Sequence, residues 1–420
     1  MLNLSVFPDL LAIGGLVTVF ASLLRRTRQT RLRYWLVGWV MILVHIVAQL
    51  VYLNVPALAQ PGEAVSLSML LLTSVAFVWA GQDHRGGPIT GFVRTLLVAS
   101  PDVLFVILYA CGVARVPVYV ALSLLGAAAV LVMFYKDRRG AVLQRRWPVR
   151  VSIVLAYVIQ AALVQLGMLD AALIWMLCWH YLLVAYFYWR GADLPTRGVR
   201  FTTASLVAWA CVFPVAALLD RWAPGLQIES EAWNLPKFLV ATGMIFTVLE
   251  EQLGEAKHDA LHDALTGLPN RRLFARRLDA ALTRARLRRG RVAVLVIDMD
   301  DFKKVNDTRG HATGDALLAA AADRLQARLR GTDTLARLGG DEFAAILPDA
   351  DSGEAVTALV EKLQATLRHG LEVQGERIAV QASIGAAFYP DDGPDEACLY
   401  AAADRAMYAH KLGSRQSRSD

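Results

Sequence analysis

The chain has 420 residues, of which 56% are apolar and only 19% charged, against about a quarter charged in ordinary soluble domains. That excludes a disordered, collagen-like or wholly soluble protein, and the length suggests two to three domains. The charges are unevenly placed: residues 1–250 hold 19 Lys+Arg and 11 Asp+Glu, whereas residues 251–420 hold 24 and 26. The positive excess thus belongs to the apolar half, where it reads as basic cytoplasmic loops rather than a nucleic-acid surface. Cys111, Cys178, Cys211 and Cys398 lack metal-like spacing and suggest neither a zinc site nor a disulfide framework.

Eight apolar runs are long enough for a bilayer: Leu4–Leu24, Tyr34–Leu53, Ala64–Ala80, Thr95–Val113, Pro117–Tyr135, Val151–Met168, Ala171–Trp189 and Phe201–Leu219. A ninth, Leu235–Leu249, is short, and Lys237 near its outer end is expected to snorkel toward the interface. The first run lacks a basic leader and a small-residue cleavage site, so it reads as a retained span. Alternate loops between the runs carry sixteen basic residues, from Arg25 to Arg200, against Arg115, Arg221 and Lys237 on the other side. The basic side is the cytoplasm, which puts the N-terminus outside and the segment after the ninth run inside. Trp35, Trp39, Trp147 and Trp189 are expected to form an inner aromatic belt.

Three ionisable residues, His45, His180 and Asp102, fall inside these runs. Two readings stay open. The histidines could be functional groups, as a haem or copper pair would be. Alternatively each is a neutral histidine bonded across helices, with Asp102 capping a helix that starts near Pro101. Pro8-Asp9-Leu10-Leu11 and Pro101-Asp102-Val103-Leu104 hint at an internal repeat. Past the ninth run, Phe246, Leu249, Leu253, Ala256 and Ala260 are spaced 3, 4, 3, 4. That spacing suits a short parallel coiled coil or a plain amphipathic helix.

From Arg291 the periodicity changes. Val292–Ile297 reads as a buried strand ending at Asp298-Met299-Asp300, followed by a helix near Thr313–Arg330. Strands at Thr334–Leu338 and Glu342–Leu347 flank Gly339-Gly340 as a hairpin. A helix over 352–369, a strand over Ile378–Ala387 and a helix over 397–411 complete an α/β pattern. Asp298 at a strand end and Asp341 at the hairpin tip would converge if those strands are neighbours. Two carboxylates plus substrate phosphates are a common Mg²⁺ ligand set. Lys303, Lys411 and Arg415 are candidate phosphate contacts.

The motifs are more specific in combination. Asp263-Ala264-Leu265-Thr266-Gly267-Leu268-Pro269-Asn270-Arg271-Arg272 is followed by Asp298-Met299-Asp300-Asp301-Phe302-Lys303, Asn306-Asp307, Gly310-His311 and Gly314-Asp315. Then come Arg337-Leu338-Gly339-Gly340-Asp341-Glu342-Phe343 and Ala403-Asp404-Arg405-Ala406-Met407-Tyr408-Ala409-His410-Lys411. This series resembles the GGDEF domain of bacterial diguanylate cyclases over about residues 259–415. Residues 1–235 then read as a transmembrane sensory region of about eight spans, 235–262 as the last span and a signalling helix, and 416–420 as a tail.

The resemblance implies a fold and an activity. The fold is a multi-span α-helical membrane domain plus an α/β domain, like the palm of nucleotidyl cyclases and polymerases, with a central, mostly antiparallel sheet and flanking helices. The activity is condensation of two GTP to cyclic di-GMP with release of two pyrophosphates. In that reading Asp298 and Asp341, with the Met299 carbonyl, hold Mg²⁺ or alternatively Mn²⁺. Asn306, Asp315 and His311 line the guanine site, and Lys303, Lys411 and Arg415 face phosphates. Asp341 helps deprotonate the 3′-hydroxyl, with Glu342 beside it. The five residues Gly339, Gly340, Asp341, Glu342 and Phe343 are the family motif itself. Arg330-Gly331-Thr332-Asp333 stands where the family has an inhibitory product site. The expected partners are GTP, cyclic di-GMP, a lipid bilayer and a second copy of the chain, with no nucleic acid. The expected location is the bacterial inner membrane, with the catalytic domain cytoplasmic. The alternative is a catalytically silent GGDEF domain acting as a nucleotide-binding signalling module.

Overall fold

A computed structural model describes residues 6–27, 29–80, 88–136, 147–192, 195–223, 230–350 and 352–416. The chain forms two compact units, Met1–Glu251 and Gln252–Asp420.

The first unit is helical. Among the described residues its α-helices are α1 (Phe7–Thr27), α2 (Thr30–Asn54), α3 (Ala59–Ala80), α4 (Pro88–Ala110), α5 (Val116–Lys136), α6 (Trp147–Gln165), α7 (Leu169–Arg190) and α8 (Arg197–Trp222), together with most of α9 (Ser230–Leu261), which runs on past Glu251. Each expected apolar run has its helix. Among the described residues seven helices are long and apolar enough to cross a membrane, with shorter apolar stretches at Leu96–Ala110 and Val116–Val132. The ninth run is the apolar part of a 32-residue helix, so its short apolar length understated its reach. Small residues allow close helix approach. At Gly198 of α8 an added methyl would come within 2.7 Å of the Thr247 backbone nitrogen on α9. Near the same crossing, the Gly198 N–H donates to Glu250 Oε2 (2.8 Å), and Arg31 of α2 pairs with Glu251 (2.6 Å).

Packing overturns several sequence expectations. Trp35 and Trp39 are fully buried, against Phe20 and, for Trp35, Tyr188. They face the bundle interior because α2 presents that side to α1, so no interfacial belt forms there. Trp189 is exposed as expected, and the side chain of Trp147 lies outside the described residues. Lys237 does not snorkel: it is 9% exposed. Asp102 caps nothing, because Pro101 lies inside α4 rather than at its start. The Asp102 carboxylate is buried, accepts from the Tyr157 hydroxyl of α6 (2.6 Å) and lies 3.5 Å from His180 Nε2 of α7. His45 instead donates from Nδ1 to the Ser66 carbonyl of α3 (2.9 Å). The two histidines thus bond different groups, as cross-helix histidines do. Among the described residues no cluster of three or more His, Cys, Asp or Glu forms.

The second unit is built on a four-stranded sheet in the order β2-β3-β1-β6, with every neighbour antiparallel. After α10 (Arg271–Arg288) come β1 (Val292–Met299), α11 (Phe302–Arg309), α12 (His311–Gln326), β2 (Thr334–Gly339) and β3 (Glu342–Pro348). Then follow α13 (Gly353–Arg368), β4 (Leu371–Val373), β5 (Glu376–Ile378), β6 (Ala382–Tyr389) and α14 (Glu396–Gln416). The continuous apolar run of β1 reflects cover on both faces. Val292, Val294 and Val296 pack with α10 and α14, through Phe274, Leu278 and Met407. Ala293, Leu295 and Ile297 pack with α12 and α13, through Leu317, Leu325 and Leu363.

Two boundaries differ from expectation. The segment read as one strand over Ile378–Ala387 is divided: Ile378 closes a separate β4–β5 hairpin, and β6 begins at Ala382. The cause is a turn at Gln374-Gly375, both at positive φ, which suits a tight two-residue hairpin loop. α12 ends at Gln326, so Arg330 lies in the following turn rather than at the helix end.

Candidate active site

The carboxyl end of β1 and the β2–β3 turn meet because β1 and β3 pair in register, with Asp298 opposite Glu342. Gly339 and Gly340 both adopt positive φ (147° and 54°), which lets the chain reverse without a Cβ in the way. The Met299 N–H then donates to the Asp341 carbonyl (3.3 Å), tying the strand end to the hairpin tip. Asp298 and Asp341 therefore converge as expected.

The electrostatics follow from that convergence. Burial raises the Asp341 carboxyl above the usual range, and the negative charge of Asp298 pushes the same way. Lys411 and Arg337 offset part of this. The Lys411 ammonium reaches from α14 to pair with Asp298 Oδ1. Two carboxylates held together, with a lysine against one of them, make a donor set that fits a divalent cation completed by substrate oxygens.

Arg337 and Arg271, quoted above only within motifs, prove to hold the tip in place. Arg337 donates from Nε and Nη2 to the Gly340 carbonyl (3.0 and 2.8 Å) and from Nη1 to Asp263 Oδ1 (2.9 Å). Asp263 Oδ1 also accepts from the Thr266 N–H and hydroxyl (2.9 and 2.7 Å). Burial alone would raise the Asp263 carboxyl, but these Arg337 and Thr266 bonds hold it below the ordinary range. Asn270 caps α10 by accepting from the Arg272 and Leu273 N–H groups (3.0 and 3.1 Å). Arg271 approaches Glu342 Oε2 at 3.5 Å. The signal for Arg337 was its place two residues before Gly339, which puts a long donor beside the turn.

The other expected residues divide into groups. Phe343 is fully buried in the core between β3 and α12, so it supports the hairpin. Lys303 and Asn306 lie on α11, and His311 and Asp315 on α12, around the bend at Gly310. Lys303, His311 and Asp315 are exposed. Asn306 Oδ1 is buried with no hydrogen-bond partner among the described residues. It lies directly over Gly314, where a side chain would collide with it. Arg415 falls on α14, but its side chain is outside the described residues.

Arg330 and Asp333 form a closed turn. The Arg330 N–H donates to Asp333 Oδ2 (2.8 Å), and the Asp333 N–H donates to the Arg330 carbonyl (3.0 Å). This turn stands just before β2, at the opposite end of that strand from Gly339.

Comparison with known proteins bears on the same segment. The family model described as "Diguanylate cyclase, GGDEF domain" matches residues 260–417. Diguanylate cyclase TpbB of Pseudomonas aeruginosa is 40% identical over 171 residues, covering 40% of this chain and 39% of that protein. The bifunctional diguanylate cyclase/cyclic di-GMP phosphodiesterase MucR of the same species is 42% identical over 170 residues, covering 40% of this chain and 25% of that one. A solved structure of only the GGDEF domain of TpbB is 41% identical and covers 36% of this chain and 89% of that one, with a TM-score of 0.36. The match spans about two fifths or less of these two curated relatives, and residues 1–250 lie outside the family match. With the motif acids in place at the sheet end, residues 260–417 of this chain match the GGDEF domain of diguanylate cyclases.

Proposed function

We propose that the protein is a membrane-bound diguanylate cyclase that joins two GTP into cyclic di-GMP and releases two pyrophosphates. The observation that carries this reading is the pairing of Asp298 and Asp341 at the sheet end, with the Asp341 carboxyl raised and Lys411 against Asp298. In this reading Asp298, Asp341 and the Met299 carbonyl hold Mg²⁺ (or Mn²⁺), Asn306, His311 and Asp315 receive guanine, and Lys303, Lys411 and Arg415 meet phosphate. An amide and a carboxylate together complement the acceptor O6 and the N–H donors of guanine.

Bound Mg²⁺ would supply positive charge against the reacting phosphate and the departing pyrophosphate. The protein's own residues do the rest. Asp341 helps deprotonate the 3′-hydroxyl, with Glu342 beside it. Arg337 holds the backbone of the turn that carries Asp341, so the carboxylate keeps its aim. Lys411 is displaced from Asp298 toward phosphate as the substrate arrives. Each domain binds one GTP, so the reaction needs two copies face to face. The exposed apolar seam Phe246, Leu249 and Leu253 on α9 supports such pairing. Residues 1–235 act as a membrane sensory region, residues 235–262 as last span and signalling helix, and the catalytic domain lies on the cytoplasmic side of the inner membrane. Cyclic di-GMP inhibits through Arg330 and Asp333.

The test is turnover. Residues 252–420 fused to a dimerising coil, given GTP and Mg²⁺, should form cyclic di-GMP, and Asp341→Ala should abolish it. A dimeric, GTP-binding wild-type protein that forms no product would replace this reading with a silent, nucleotide-binding domain.

A further inference from the structure

A cavity of about 270 Å³ lies in the helical unit. Its lining comes from the last turns of α2, the first turns of α3 and α9, the second half of α8, and Leu177 of α7. The walls are largely aromatic and aliphatic, including Tyr52, Trp209 and Trp233. Two opposite charges enter it, Glu63 from α3 and Lys237 from α9. Lys237 is about nine-tenths buried. Lys237 has the buried Asp9 of α1 as an electrostatic counter-charge, and Glu63 is only partly buried.

An ammonium removed from water is costly unless opposite charge lies near it. Ionisable residues inside membrane bundles mark ligand or ion paths by default. Asp9, in the first turn of α1, is buried, accepts a hydrogen bond from Asn234 and acts electrostatically on Lys237 from nearby. His45 is turned by its Nδ1 bond to Ser66, which leaves Nε2 for the cavity.

We infer that this cavity binds a small zwitterion, a molecule with an ammonium group at one end and a carboxylate at the other, such as an amino acid or a betaine. Lys237 receives the carboxylate. Glu63 and the aromatic walls receive the ammonium, which is attracted to ring faces as well as to a carboxylate. The volume suits a small ligand, and mostly apolar walls with a few placed polar groups are the usual make-up of a binding site. Lys237 belongs to α9, the helix that continues to Leu261, two residues before Asp263. Occupation of the cavity therefore acts on the segment that leads into the catalytic unit. The inference itself does not rest on the cyclase reading.

The experiment uses the full chain in lipid nanodiscs. Tryptophan emission, to which Trp209 and Trp233 contribute, is titrated with the common L-amino acids and glycine betaine. Singly charged controls are phenethylamine and 3-phenylpropionate. At least one zwitterion should give a saturable change, with L-amino acids distinguishing a primary from a quaternary ammonium. The singly charged controls should bind at least about tenfold more weakly than the best zwitterion, as should the zwitterion to Lys237→Met and Glu63→Gln. No saturable response to any zwitterion overturns the inference, and so does equal binding of either control. Wild-type affinity in both variants also overturns it. Should Lys237→Met fail to fold, the selectivity of the unmodified protein decides alone.

Discussion

Replacing Gly385 with alanine tests how the second unit is assembled. Gly385 lies on β6 under α14, and an added methyl would stand 2.8 Å from the Met407 Cα. The Ala403 carbonyl oxygen and the Met407 nitrogen would be closer still. Ordinary contact begins at 3.4 Å. All three atoms are helix backbone, so no rotamer change relieves the clash, and α14 must withdraw by more than 0.6 Å. Withdrawal loosens Leu399, Ala403 and Met407, each 6% exposed or less, from the face of β1 and β6. It also draws Lys411 away from Asp298. Overpacking of this kind costs about 1–3 kcal/mol, and rigid neighbours place this site at the upper end. For a domain of this size about 3 kcal/mol lowers the melting temperature by roughly 6–12 °C. Differential scanning fluorimetry of residues 252–420 measures it, with GTP turnover below the melting range as the second readout. Turnover should fall too, because Lys411 is displaced at temperatures where the domain is still folded. A melting point within about 1 °C of wild type, with full turnover, would refute the packing of α14 described above.

Asp341→Asn should abolish turnover and yet raise the stability of the metal-free domain at pH 7. Because the folded-state carboxyl is raised, the wild type is most favoured below its unfolded value of about 3.9 and loses stability as pH rises through the folded value. The variant's advantage should therefore open between about pH 4 and pH 7 in urea melts, and an unchanged difference across that range would contradict it. Arg330→Ala should keep turnover and raise the cyclic di-GMP concentration needed for half inhibition by about ten- to a hundredfold, the loss of a charged contact. An inhibition curve overlaying the wild type at saturating GTP would remove the product site. For topology, a cysteine at Gln60 should react with an impermeant maleimide in whole cells and one at Lys257 should not, and the reverse labelling would invert the orientation.

Much of the molecule was legible in the sequence because its signals are local. Among the described residues each of the nine apolar runs falls on a helix, and seven helices are long and apolar enough to cross a membrane, since such a helix must be apolar along its own length. Val292–Ile297 announced a central strand, and Gly339-Gly340 its neighbouring turn, since few residues tolerate that backbone. Asp298 and Asp341 were identifiable from their places beside those elements. Tertiary structure decided whatever depends on which face meets which. Trp35 and Trp39 face the bundle interior rather than an interface, Asp102 bonds Tyr157 in mid-helix, and Lys237 enters a cavity where snorkelling was expected. The function of Arg337 required Asp263, 74 residues away in sequence, to lie beside it. Gly385 looks like any strand glycine until α14 is seen to cross it. A hydrophobic pattern specifies that a face is buried, but the partner of a buried polar group or a close backbone contact exists only once distant segments have packed.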